Sequence, residues 1–249
     1  MRQAFDGLLN LLWPESCLLC GAEVTRWREC GVCTSCWGRV LQLNLRIPWC
    51  ACCGLPFQFE HEGAGHLCVG CSVGLPLFTG ARSFGYYTAE LSRLIQGFKF
   101  DGRRNLAQLL APLLAAALAS TWSRSDFDLI IPVPLHPRRH RERGFNQSAL
   151  LAARLAKYLV LPYSERALTR IRHTPPQVGL ADAERLRNLS GAFRCGRPDL
   201  VARRRILLVD DVMTTGATAA SASEALRVAG ASSVAVLTVA RAVPGVGRL

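Results

Sequence analysis

Between Arg203 and Thr218 the chain reads Arg-Arg-Arg-Ile-Leu-Leu-Val-Asp-Asp-Val-Met-Thr-Thr-Gly-Ala-Thr. Two adjacent carboxylates, Asp210 and Asp211, run into a turn of small and hydroxyl residues. Gly216 and Ala217 let a ligand approach the backbone closely, and Thr214, Thr215 and Thr218 add hydroxyl donors. A helix beginning there would offer unpaired N–H groups and a partial positive charge, which favour a phosphate. The carboxylates would repel a phosphate, so they suit the hydroxyls of a sugar beside it, or a hydrated magnesium ion. A ligand with a phosphate at one end and vicinal hydroxyls next to it is a ribose 5-phosphate. The bland alternative is a buried strand, a capped helix and two solvated acids; paired acids on an apolar strand favour the site.

The elements that must position these groups are legible on either side. Ile206 to Val209 is a continuous branched apolar run, as expected of a strand buried on both faces of a parallel sheet. An Ala-rich helix follows as far as Gly230, a suitable C-cap, and Ser233 to Ala240 reads as another buried strand. Open α/β sheets bind ligands outside the carboxyl ends of their strands. Upstream, Asp128 to Val133 forms a strand that ends in Pro134-Leu135-His136-Pro137 and the arginines Arg138, Arg139, Arg141 and Arg143. Arginine forks bind phosphate bidentately, so this loop suits a pyrophosphate, and a solvated basic loop fits equally well. Asn146 caps a helix carrying Leu151, Leu155 and Leu159 at intervals of four. Ala81 to Thr88 reads as a strand and Glu90 to Gln96 as a helix. Lys99 and Arg103 come next, then a Leu/Ala helix to about Ser120. Ala192 to Cys195 reads as a short strand with Cys195 in the core.

Of the 11 cysteines, most fall in Cys-x2-Cys pairs near the N-terminus: Cys17/Cys20, Cys33/Cys36, Cys50/Cys53 and Cys68/Cys71. Each doublet of pairs has the spacing of a four-thiolate zinc ribbon, and Gly21 and Gly54 follow the first pair of each as a tight knuckle favours. Two tandem ribbons, each closing its own structural zinc, are expected; cross-bracing between alternate pairs has the same spacing. Cys30, Cys52, His61 and His66 are read as spectators. Trp27, Trp37 and Trp49 interleave with Arg26, Arg28, Arg39 and Arg46, an arrangement that stacks on single-stranded bases or simply caps small ribbon cores. Gly70 to Gly80 reads as a linker, and Met1 to about Pro14 as a short amphipathic helix.

With 249 residues, half of them hydrophobic, the chain has room for one medium domain and a small one. A net charge of +12, carried almost entirely by arginine, suits a polyanionic small molecule or a nucleic acid backbone. The longest apolar run, Leu109 to Ala119, is too short to span a bilayer, and the N-terminus lacks the pattern of a signal peptide. Paired thiols without an export signal point to a cytoplasmic metalloprotein.

Val209 to Thr218 closely resembles the phosphoribosyl diphosphate (PRPP) motif of type I phosphoribosyltransferases. With Ile131 to Arg139, Arg143 to Gln147, Arg172 to Gln177, Glu184 to Asn188 and the cysteine pairs, the chain resembles the bacterial ComF family along nearly its full length. The resemblance implies an α/β, type I phosphoribosyltransferase-like core with a mainly parallel sheet at residues 76–249. A double zinc ribbon at 17–75 and an N-terminal helix at 1–16 would precede it. It implies catalytic roles for Asp210 and Asp211, and PRPP contacts from Thr214, Thr215, Gly216, Ala217, Thr218, Arg138, Arg139, Arg143, Lys99 and Arg172. The zinc ligands would be the eight paired cysteines, and magnesium would accompany PRPP. The segment from Arg170 to Gln177 would be a mobile loop that closes over the ligand, with Glu184, Arg185, Arg187 and Asn188 beyond it. The family also brings an expectation of single-stranded DNA or competence proteins as partners, as does the reading of the chain as a non-catalytic DNA platform. Type I enzymes recognise a base through a hood outside the core. None follows the last strand, so the ribbons must serve or no conventional base is bound.

Overall fold

The structure is a computed structural model that describes residues 15–24, 30–45, 48–57, 65–172 and 191–243. The N-terminal ribbon begins with a two-residue hairpin, β1 (Glu15–Ser16) and β2 (Glu23–Val24), and continues into α1 (Thr34–Leu41). The second ribbon ends in α2 (Val69–Val73). Then follow β3 (Gly80–Tyr86), α3 (Ala89–Phe100), α4 (Ala107–Ala119), β4 (Leu129–Pro132), α5 (Pro137–Arg143) and α6 (Gln147–Leu159). A small antiparallel pair, β5 (Leu168–Arg170) and β6 (Phe193–Cys195), precedes α7 (Pro198–Val201), β7 (Arg205–Met213), α8 (Ala217–Val228) and β8 (Ser233–Arg241).

The main sheet is four-stranded and parallel throughout, in the order β3-β8-β7-β4. Its central strands are apolar because both faces are covered, and the period of two divides them cleanly. Leu207 and Val209 of β7, with Ala235, Leu237 and Val239 of β8, face a core built with α3, α4 and α6. Ile206 and Leu208, with Val234 and Val236, face a second core under α8 and the β5–β6 pair. The α4 helix is buried along most of its length between sheet and α6, which explains its nearly uniform Leu/Ala composition.

Each ribbon extends one of these cores. Cys17, Val24, Val32, Cys36 and Val40 join the α3–α4–α6 side, while Cys50, Cys52, Cys53, Cys71 and Phe78 join the α8 side. The chain leaving the first ribbon also pairs with the free edge of β3, through an Asn44–Gly85 bridge and a Leu45 N–H donated to Phe84 O at 2.7 Å. The expected separation at residues 75 and 76 is therefore not a break in the hydrophobic core.

Several boundaries differ from the sequence expectation. Residues 15–16 are strand rather than helix, because they pair with β2 across the first knuckle; Met1 to Pro14 lie outside the described residues. The linker assigned to Gly70–Gly80 begins inside α2, which carries Cys71 into the second cluster. The α3 helix runs on past Gln96 to Phe100, taking Lys99 into its last turn. The basic loop is a helix, α5, with Pro137 at its first turn and Gly144 (φ 73°) ending it. Trp27, Arg26, Arg28, Arg46, His61 and the segment from His173 to Gln177 lie outside the described residues, as do Glu184, Arg185, Arg187 and Asn188. Trp37 packs on the core and Trp49 lies against Arg82, so these two tryptophans serve packing.

Candidate functional site

The β7 strand delivers the acid pair to the carboxyl edge of the sheet, and the alternation of strand side chains sends the two acids different ways. Asp210 lines a small pocket with Met213, Thr214, Gly216, Thr218 and Thr238. Its Oδ1 accepts from Ser148 Oγ at 2.7 Å and from the Asp211 N–H at 2.9 Å. Asp211 is buried and forms an ion pair with Lys99 Nζ of α3 at 2.8 Å. Burial, followed by the neighbouring charge of Asp211, pushes Asp210 up to about 7, against the opposing pull of Ser148 and Lys99.

The turn has the features that an anion needs. Gly216 holds φ 85° at the N-cap of α8 and, having no side chain, makes no cap hydrogen bond itself. Thr215 Oγ1 accepts from the Ala217 N–H at 3.4 Å, Thr214 is exposed, and Thr215 and Thr218 are half-buried. The positive φ favours glycine at 216; a Cβ there would sit 2.8 Å from Met213 Cε, the far end of a flexible side chain that can shift. The first-turn N–H groups of a 12-residue helix thus open onto the pocket that contains Asp210.

Arginines ring the acids from neighbouring elements. Arg143, at the end of α5, stacks on Phe100 with its guanidinium carbon 4.9 Å from the ring centroid. Burial lowers its pKa, while Asp211 and Asp210 hold it up. Arg170, the last residue of β5, is lowered by burial and by Arg139, with Asp210 opposing, and it stacks on Phe193 at 5.4 Å. Arg139 and Arg143 are half-buried; Arg138 is exposed and turned toward Glu142 at 3.3 Å, and Arg172 is exposed just beyond β5. The structure therefore gathers Asp210, Asp211, Lys99, Arg139, Arg143 and the Thr214–Thr218 turn at one edge, and leaves Arg138 on the rim.

Sequence reasoning missed Ser148 and Thr238 as members of this edge, and it puts Arg170 in the closing loop where the structure has the end of β5. Ser148 is the second residue of α6, and its N–H donates to the Asn146 cap at 3.1 Å. Asn146 Nδ2 in turn donates to Val133 O at 3.2 Å, which ties the end of β4 to the helix that supports Asp210. A serine next to a cap is too common a signal to have found it. Arg170 reads as loop in the sequence because a proline-broken stretch follows it.

The eight paired cysteines form two tandem clusters. Cys17, Cys20, Cys33 and Cys36 form one and Cys50, Cys53, Cys68 and Cys71 the other, with all ligand atoms of each within 4.8 Å of one another. Cys20 Sγ lies 3.7 Å from Cys33 Sγ, and Cys53 Sγ 3.6 Å from Cys68 Sγ. Sulfurs of a zinc tetrahedron with bonds of about 2.3 Å stand about 3.8 Å apart. A disulfide would need about 2.05 Å. The knuckles repeat each other: Cys33 N–H donates to Cys17 Sγ and Cys68 N–H to Cys50 Sγ, both at 3.3 Å, and Gly21 (φ 77°) and Gly54 (φ 65°) complete the turns. The residues fit two structural zinc ions. Cys30, Cys52 and His66 lie outside both clusters.

Residues 8–72 match the double zinc ribbon domain family. Followed by a parallel sheet flanked by helices, this makes the chain an α/β protein with a Cys-rich N-terminal ribbon region. It is 34% identical to Competence protein F of Haemophilus influenzae, over 85% of this chain and 91% of that protein. It is 36% identical to the DNA utilization protein YhgH of Salmonella typhi, over 92% and 97%, and 28% identical to Competence protein ComFC of Bacillus subtilis, over 96% and 99%. The chain belongs to the ComF family. A solved structure described as the allosteric regulatory enzyme of purine biosynthesis matches at 24% identity and a TM-score of 0.35, over 55% of this chain and a quarter (25%) of that one. So distant a likeness transfers no activity.

Proposed function

We propose that this chain binds PRPP with magnesium at the β7–α8 edge and transfers its phosphoribosyl group to an acceptor during the use of incoming DNA. The observation that carries the reading is a single pocket shared by Asp210 and the glycine-capped N-terminus of α8. The turn from Thr214 to Thr218 grips the 5-phosphate with backbone N–H groups and hydroxyls. Asp210 accepts from the ribose hydroxyls beside it, and Asp211 anchors Lys99. Arg139, Arg143 and Arg170 offset the charge of the diphosphate, with Arg138 and Arg172 reaching it from the rim. Magnesium, when bound, neutralises diphosphate charge and supports its departure. The donors fit it: a carboxylate at a pocket, flanked by hydroxyls, is the oxygen chemistry that such an ion selects. As the bond from the anomeric carbon to the diphosphate oxygen breaks, positive charge develops on the ribose, and the acids stabilise it while a nucleophile of the acceptor forms the new bond. Positioning and electrostatics thus supply most of the catalysis.

The DNA role rests on the names of the relatives, and the +12 charge is compatible with it. Among the described residues no helix is long and apolar enough to cross a membrane. Zinc-holding thiols belong in a reducing compartment, so we place the chain in the cytoplasm. A ligand that binds only the folded state raises Tm. PRPP with magnesium is expected to raise the Tm of the wild type but not of a variant carrying Asp210→Ala and Asp211→Ala. No rise at millimolar ligand would count against the proposal. The second reading, a non-catalytic single-strand platform, is favoured by the arginine-rich charge. It predicts single-strand binding that falls steeply with salt, and no pyrophosphate released with bases, amines or DNA strands as acceptors.

A further inference from the structure

We infer that the zinc held by Cys50, Cys53, Cys68 and Cys71 is the counter-charge for two buried arginines of the parallel sheet, Arg82 and Arg241, and that they fix it to the sheet. Arg82 on β3 is 8% exposed and Arg241 at the end of β8 is 4% exposed. Neither pairs with a carboxylate among the described residues. Arg241 reaches Cys53 Sγ with Nη2 at 3.9 Å, while its Nε and Nη1 have no hydrogen-bond partner among the described residues. Arg82 donates to Ala51 O inside the Cys50–Cys53 knuckle at 3.3 Å, to Ala81 O at 2.7 Å and to Thr121 Oγ1 at 2.8 Å. Its guanidinium lies between the rings of Trp49 and Trp122, at 5.3 and 5.4 Å.

A buried guanidinium without an opposite charge is strongly unfavourable, and neutral thiols do not supply one. Four thiolates around a divalent zinc leave two negative charges, and the two arginines bring two positive ones. Among the described residues, the charges close only with the metal present. Ala81 N–H, donated to Cys52 O at 2.7 Å, fastens the same knuckle to β3. The first cluster has a different environment. Its Cys20 is exposed, and the arginine at its sulfur is the exposed Arg39, which donates to Cys36 Sγ at 3.1 Å from within the ribbon itself. The two zinc ions are therefore inequivalent. Arg241 also lies opposite Met213 in the sheet, and Ala242 N–H donates to Met213 O at 2.9 Å, beside the turn of the proposed phosphate site. That last link rests on the proposed function; the retention of zinc does not.

The test is zinc release from the full chain to a colorimetric chelator, comparing wild type with Arg241→Met, Arg241→Lys and, at the other cluster, Arg39→Met. Loss of an outer partner of a metal site costs about 10–100-fold in metal retention. Arg241→Met is expected to speed one of two release phases at least tenfold by that standard, Arg241→Lys to stay near wild type, and Arg39→Met to leave that phase unchanged. Wild-type rates in Arg241→Met, or equal acceleration in Arg241→Lys, would overturn the inference. Should Arg241→Met not yield folded protein, Arg82→Met decides: the same phase must accelerate, and an unchanged rate sinks the idea. PRPP binding that fails in the wild type, with these release rates as expected, would count against the proposed function alone.

Discussion

Asp210 carries opposite consequences for stability and for ligand binding. Its pKa rises from 3.8 to about 7 on folding, so between those values the folded state holds a proton that the unfolded chain has lost. Stability accordingly falls as pH rises through that window, and the full cost of the buried charge is present above it. Asp210→Asn keeps an acceptor for Ser148 without the charge, so thermal melts near pH 8 should show it more stable by roughly 1–3 kcal/mol. On the proposed reading the same variant loses magnesium-dependent PRPP binding. Asp128 has the other sign. Arg205 donates to it from Nη2 at 2.7 Å, Nε at 3.1 Å and its backbone N–H at 2.9 Å, and this holds the carboxyl down at about 2. That stability is fully present above the unfolded value of 3.8 and is lost as pH falls toward 2. The pair is partly exposed, so Asp128→Asn should cost no more than about 1 kcal/mol at pH 7, with the difference closing in melts near pH 2.

At the scale of elements, the β7–α8 turn is the joint on which the site depends. Gly216→Ala places a Cβ in the left-handed region against Met213, which should cost about 1–2 kcal/mol in denaturant unfolding before any ligand is added. The strands around this joint were legible because burial on both faces forces an unbroken apolar run, as at Ile206–Val209. The two zinc clusters were legible because ligand spacing is short-range. The divergence of Asp210 and Asp211 also follows from the strand period. Yet a sequence does not say which helices reach the carboxyl edge of the sheet, so Lys99 and Ser148 as their separate partners could not be read. Helix α5 was missed for a local reason: two prolines and four arginines outweigh helical propensity on paper, whereas Pro137 at the first turn and Gly144 after the last permit it.

The whole molecule has two cores, one on each face of the sheet, and a metal ribbon extends each. Separate domains, as a linker at Gly70–Gly80 implies, would fold separately. A fragment of residues 76–249 instead uncovers the apolar surface around Phe84, Leu91, Ala81 and Phe78 that the ribbons cover. It should lack a cooperative melt and bind a hydrophobic dye; a sharp transition with native near-ultraviolet dichroism would show that the ribbons are dispensable. The shared cores also explain how so small a metal segment is held: zinc fixes its knuckles and the sheet supplies the apolar partners.

The central claim is that the carboxyl edge of β7 is a phosphoribosyl site. Isothermal calorimetry with PRPP tests it most directly, titrating the zinc-loaded protein with and without magnesium. The account predicts magnesium-dependent binding that strengthens as pH rises through about 7, where Asp210 gives up its proton, and that disappears in the variant with Asp210→Ala and Asp211→Ala. Heat that is independent of magnesium, or affinity unchanged in that variant, would contradict it.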